Sequence, residues 1–401
     1  MKSTNLGVEE FTTELVIDPQ IKSLHLAWNG NLSDEFMKKK TIGDALRGLP
    51  NLVTVGLGGI RIASIDSFFQ RSFVCVKGLC VIKFSKSPIS DELLHWLANL
   101  CLPLKKVLFS ECYNFSFVGL CFLLSKNCFP EYLNLEGANF LSDGSMIELS
   151  QYLSRLILKS INLDLCSKLT ISTFFTLIRK CHVLSKTRME STNLGVEEST
   201  TELVIDPRNK SLHLAWNGNL GDELMKKVAF ICPNLQLLDV SDYRIITKEG
   251  IGEIFKSCGE IQCLRIESCR HINSLGIKHF DVKKLEVLQV GASRINGWPS
   301  DGDINFPVYG IFDSIGVTNS SVVPLSRKLT NLTKIDLSGN KPITDKSIAS
   351  IWTNCVLLRD FSILDCPIII QKTIGEAMRH LQNLVSVGLG GIRIASIDSF
   401  F

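Results

Sequence analysis

Short apolar bursts of the form L-x-x-L-x-L recur along the chain, starting at 21, 52, 79, 104, 130, 158, 184, 209, 235, 261, 285, 332, 358 and 384. Most steps between starts are 24 to 28 residues. The clearest units read "PNLQLLDVSDYRIITKEGIGEIFKSC" and "TNLTKIDLSGNKPITDKSIASIWTNC". In the burst, Leu235, Leu238 and Val240 fall on one side of a short extended strand. The spacing then becomes helical: Ile348 and Ile351 face inward, and Thr344 and Asp345 stand where a helix start needs a cap. One strand and one helix cannot bury their own apolar face. A period of this length therefore predicts units stacked side by side, with parallel strands in one layer and helices in the other.

Two longer duplications overlie this period. Residues 3–39 match 191–227 at 32 of 37 positions, and 41–69 match 373–401 at 24 of 29. Residues 3–69 thus read as a partial duplicate of 191–401. The stretch "VGLGGIRIASIDSFF" occurs at 55–69 and again at 387–401. It is not a phosphate-binding G-x-G-x-x-G turn, because Arg61 takes the third glycine's place. It reads as a strand, with Leu52, Val55 and Leu57 inward and Gly56 and Gly58 on the open face. Met1 aligns with Met189, in the middle of a strand, and Phe401 ends a stretch that its first copy continues. The expectation is one array, 1–401, of about 14–15 units, cut from a longer gene product at both ends. One step, from 285 to 332, is long. Residues 296–325 are read as an irregular unit or a loop: Phe306, Tyr309 and Ile311 suit a strand, and "VTNSSVVPL" suits a helix that would contain Pro324.

Composition narrows the chemistry. The chain is 45% hydrophobic and 21% charged, with a net charge of +3, which gives no reason to expect a nucleic-acid or membrane partner. No apolar run reaches the roughly 18 residues that span a bilayer. The start lacks a secretory pattern. The 14 cysteines are accordingly expected to be reduced, mostly buried thiols, and the location cytoplasmic and/or nuclear. There is no His-Glu-x-x-His, no serine elbow and no C-x-x-C. No catalytic residue, cofactor or metal site is expected.

The cysteines recur at the repeat period. Cys101, Cys181, Cys232, Cys258 and Cys355 stand three residues before the first leucine of a unit, and Cys112, Cys166, Cys269 and Cys366 follow its strand. In this the chain resembles the cysteine-containing class of leucine-rich repeats, C-x-x-L-x-x-L-x-L-x-x-C-x-x-I-T-D-x-G-I-x-x-L. It is similar to the repeat region of plant F-box/leucine-rich-repeat proteins, although no F-box is found. The resemblance implies an α/β leucine-rich-repeat solenoid (a horseshoe), with parallel strands on the concave face and helices on the convex face.

It also implies a non-catalytic protein-interaction scaffold: the substrate-recognition repeats of an SCF-type ubiquitin ligase. A target would sit on the concave face; a Skp-type adaptor and a cullin would bind only through an F-box. The alternatives are the repeat domain of an intracellular immune receptor and a ribonuclease-inhibitor-like enzyme inhibitor. The outward strand positions that would form the binding face are Asn162, Asp164, Arg188, Glu190, His213, Asp239, Arg265, Glu267, Gln289 and Asp336. The position three residues after each strand's last inward residue holds Asn29, Cys112, Cys166, Asn217, Cys269, Asn340 and Cys366, expected to bond the turning backbone.

Overall fold

The structure, a computed structural model, describes residues 3–7, 20–27, 49–59, 77–126, 130–154, 157–194, 203–218, 221–243, 245–269, 271–272, 282–290, 318–366, 368–369 and 371–391. They fall into two compact units, one running to Asn193 and the other from Thr200 onward, with 194–199 divided between them.

In the first unit, strands β1 (Ser3–Gly7), β2 (Ser23–Ala27), β3 (Thr54–Gly58), β4 (Val81–Ser85), β5 (Lys106–Ser110), β6 (Tyr132–Asn134), β7 (Ser160–Asn162) and β8 (Lys186–Arg188) pair in chain order, all parallel. Helices α1 (Asp91–Asn99), α2 (Phe117–Ser125), α3 (Asp143–Leu153) and α4 (Ile171–Lys180) alternate with the later strands. Register aligns Leu24, Val55, Ile82, Val107, Leu133, Ile161 and Thr187 in one inward column, each at most 2% exposed. Phe84 and Phe109 stack beside it with ring centroids 5.7 Å apart.

The second unit repeats the plan. Strands β9 (Ser211–His213), β10 (Leu237–Asp239), β11 (Cys263–Arg265), β12 (Val287–Gln289), β13 (Lys334–Asp336), β14 (Asp360–Ser362) and β15 (Ser386–Gly388) are again parallel and in chain order. Its helices are α5 (Asp222–Ile231), α6 (Lys248–Ser257), α7 (Asn319–Ser326), α8 (Asp345–Asn354) and α9 (Gln371–His380). Leu212, Leu238, Leu264, Leu288, Ile335 and Phe361 form the inward column. As the spacing requires, Ile348 and Ile351 are buried and Thr344 caps α8.

The stacking is reinforced by side chains reaching from one helix start to the next. Asp91, the first residue of α1, accepts bonds from the backbone N–H and the hydroxyl of Ser116, the N-cap of α2 (2.8 and 2.6 Å). Asp143 does the same for Thr170 (3.0 and 2.6 Å), and Asp222 for Thr247 (2.9 and 2.7 Å). Asn319 does so for Thr344 with its two amide atoms, its carbonyl accepting and its N–H₂ donating. The third helical residue must then either bond this group or leave it room. Thr173 and Ser347 bond it, whereas Gly119 and Gly250 make room, since a Cβ there would lie 2.1 and 2.3 Å from the aspartate Oδ1. At Gly119 and Gly250 the glycine of the I-T-D-x-G-I motif therefore makes room for the carboxylate of the preceding repeat.

Two expectations are corrected. Gly56 does not face open space: it is buried, and a Cβ on it would come 2.2 Å from His25 Nδ1, so the imidazole of the preceding strand lies over it. Cys101 is exposed with φ 48°, because α1 stops at Asn99 and Leu100 takes the C-cap place that cysteine holds in α4, α5, α6 and α8. At the long step, β12 pairs directly with β13. Of the irregular stretch, 296–317 lies outside the described residues, including Phe306, Tyr309 and Ile311. The helix is present as α7, with Pro324 inside it.

Candidate functional site

Side chains alternate across a strand, so every residue between two inward ones points out of the strand layer. In the first unit this brings Asn162, Asp164, Arg188 and Glu190 together. Arg188 Nε donates to Asp164 Oδ2 at 2.8 Å, and its Nη2 lies 2.9 Å from Glu190 Oε1. The Glu190 N–H donates to Asp164 Oδ1 (2.8 Å), and Asn162 Oδ1 accepts from the Asp164 N–H (2.9 Å). Asp164 is only 6% exposed. Burial pushes its carboxyl above the ordinary value, against the opposing pull of Arg188.

In the second unit the outward residues form a looser chain. Asp239 Oδ2 lies 3.5 Å from Arg265 Nη1 and 4.0 Å from His213 Nδ1. Asp239 Oδ1 accepts from the Ser241 N–H (3.2 Å), and Gln289 Nε2 donates to Glu267 Oε1 (2.9 Å). Asp336 stands beside Gln289 in register and accepts from the Ser338 N–H at 2.9 Å. His213 and Asp239 are buried, at 3% and 7% exposure. The ten positions therefore divide by role. Asp164, His213 and Asp239 lie under the surface as supports, and the other seven are half-buried around them. A buried carboxylate needs a partner that stays in place, and Arg188 and Arg265 meet that need.

The column after the strands bonds backbone as expected, and mostly one repeat back. Cys166 Sγ donates to the Leu135 carbonyl (3.3 Å), Cys269 to Val240 (3.2 Å) and Cys366 to Leu337 (3.4 Å). Asn340 Nδ2 reaches both Val290 (3.1 Å) and Leu337 (2.8 Å), while Asn217 bonds its own turn at Leu214 (2.6 Å). Cys112 makes a weaker contact within its own repeat, 3.7 Å from the Ser110 carbonyl. Asn29 lies outside the described residues. Sequence reasoning missed Tyr243, which holds the same offset after Val240. It is fully buried, and its hydroxyl donates to the Leu214 carbonyl at 2.5 Å. The offset alone was the signal, hidden because an aromatic ring does not look like a turn residue.

Among the described cysteines, burial pushes the thiols of Cys166, Cys181, Cys258, Cys269 and Cys355 up to about 12 and that of Cys366 to about 11. A thiol held that high is neither a nucleophile nor a ready metal ligand. Cys258 Sγ instead donates to the Cys232 carbonyl (3.3 Å), which is a packing role.

Comparison with known proteins agrees with this geometry. Residues 328–351 match the family model described as a leucine-rich repeat. The chain has the leucine-rich-repeat fold. A solved chain from the yeast Rad7 and Elc1 complex is similar over 78% of this chain and 75% of its own, at 20% identity and a TM-score of 0.55. An internalin from Listeria monocytogenes is similar over 90% and 88%, at 16% identity and 0.53. The Drosophila Toll–Spatzle structure is similar over 94% of this chain and 44% of that one, at 13% identity and 0.51. A sequence search of curated proteins gives no match. Among the described residues no helix is long and apolar enough to cross a membrane.

Proposed function

We propose that this protein is a non-catalytic protein-interaction scaffold whose strand faces receive a protein target, and that it is the substrate-recognition part of an SCF-type ubiquitin ligase. The observation that carries the scaffold reading is the strand face itself. Outward side chains from successive parallel strands are held in fixed register, and their charges are braced by buried partners such as Asp164 and Asp239. A rigid, polar, pre-paired surface suits recognition of another protein, because little ordering remains to be done on binding. Two of the similar solved structures are themselves protein complexes, Rad7 with Elc1 and Toll with Spatzle. The ligase reading rests on the cysteine-containing repeat pattern and its likeness to F-box proteins. A Skp-type adaptor and a cullin would then join through an F-box encoded with these repeats.

The test is affinity purification of the full-length gene product from its own cells. Recovery of an adaptor and a cullin together with a target that is stabilised by proteasome inhibition would support the ligase reading. Recovery of a target with neither would leave a scaffold and remove the ligase.

A further inference from the structure

Several charged residues on the strand faces pair with a neighbour, as Asp164 does with Arg188 and Asp239 with Arg265. Lys83 of β4 and Lys106 of β5 stand on the strand face of the first unit. Both are exposed, and among the described residues neither has a carboxylate within ion-pair distance. Register places Val81, Lys106 and Tyr132 in one row across β4, β5 and β6, and Lys83, Leu108 and Asn134 in the next. Cations and apolar groups therefore alternate on a small checkerboard. Strand spacing and rise put the two lysines about 8 Å apart. Lys106 Nζ sits 4.6 Å from the centre of the Tyr132 ring, which is itself 38% exposed. Lys105 adds a third exposed cation at the edge.

The local potential is registered by nearby groups. The Lys159 hydrogen bond, with Lys105 and Lys106 adding to it, holds the Glu131 carboxyl below its ordinary value. Burial, helped by Lys83, lowers the value of His25. Negative charge begins one row further along: Glu111 pairs with Lys86 (3.7 Å), and Glu136 accepts from Ser110 Oγ (2.6 Å). The positive area is thus short and bounded.

We infer that the face formed by Lys83, Lys106, Val81, Leu108 and Tyr132 docks an acidic segment of a protein partner, one that sets carboxylates beside an aromatic or aliphatic side chain. Two exposed lysines that have no carboxylate partner among the described residues supply the charge complementarity, and the half-buried Val81 and Leu108 with the Tyr132 ring supply the apolar contact. A nucleic-acid backbone fits less well, because a continuous run of phosphates would meet Glu111 and Glu136. The inference rests on the scaffold reading above and names the partner's chemistry.

A random short-peptide display library panned on the full chain tests it, followed by binding of the labelled enriched peptides. The expected peptides combine Asp or Glu with an aromatic or aliphatic residue. They should bind at least about tenfold more weakly to K83E/K106E, as well to K83R/K106R as to the parent, and unchanged to K346E, with affinity falling as salt rises. Circular dichroism checks that each variant keeps its fold. Enriched peptides that are not acidic, or that bind K83E/K106E unchanged, would overturn the inference and leave the scaffold reading standing. A labelled single-stranded oligonucleotide bound more tightly through the same lysines would also overturn it. A library that enriches nothing would count against both.

Discussion

Asp222, the first residue of α5, holds the N-cap of the next helix, accepting from both the N–H and the hydroxyl of Thr247. Gly250 is confined by the same carboxylate. Asp222→Ala should therefore lower stability by about 1 kcal/mol through the weakened cap. Gly250→Ala, which in an open helix would gain up to about 1 kcal/mol, should instead destabilise. Denaturant melts of the two single variants and the double would check this. The double should cost less than the sum, because removing the carboxylate relieves the clash.

Arg188 is the partner of a buried carboxylate. Arg188→Ala should cost about 2–3 kcal/mol, less than for a fully isolated charge because the Glu190 N–H still donates to Asp164. The sign of the pH effect follows from the raised Asp164 value. A carboxyl that takes up its proton more readily folded than unfolded gains stability as pH falls through its folded value. The deficit of Arg188→Ala should therefore be larger at pH 8 than at pH 5, measured by urea midpoints at both.

Tyr243 and Asn217 donate to the same Leu214 carbonyl, at 2.5 and 2.6 Å. Losing one leaves the acceptor satisfied. Tyr243→Phe should cost about 1 kcal/mol and Asn217→Ala a similar amount, with the double variant costing more than their sum. Thermal melts of the three proteins decide it.

The buried thiols should be inert in the native state. At pH 8, iodoacetamide followed by site-resolved mass spectrometry should label Cys101 and spare Cys166, Cys258, Cys269, Cys355 and Cys366. All should react once the chain is unfolded in guanidinium. Native labelling of the buried set at a rate near that of Cys101 would contradict the raised values.

What the sequence determined by itself is everything that follows from the two backbone periods. Alternation marked Leu235, Leu238 and Val240 as a strand, and the three-to-four spacing after Thr344 marked a helix with its cap, because both patterns belong to a single stretch of chain. The repeat of those patterns was enough for parallel stacking. What only the tertiary structure decided are contacts between residues one repeat apart: Asp164 beneath Arg188, Tyr243 on the Leu214 carbonyl, His25 over Gly56, and Lys83 diagonal to Lys106. Register between strands sets these pairings, and register comes from how whole units settle on one another. That is why the outward positions could be read off the sequence, while their division into buried supports, braced charges and exposed lysines could not.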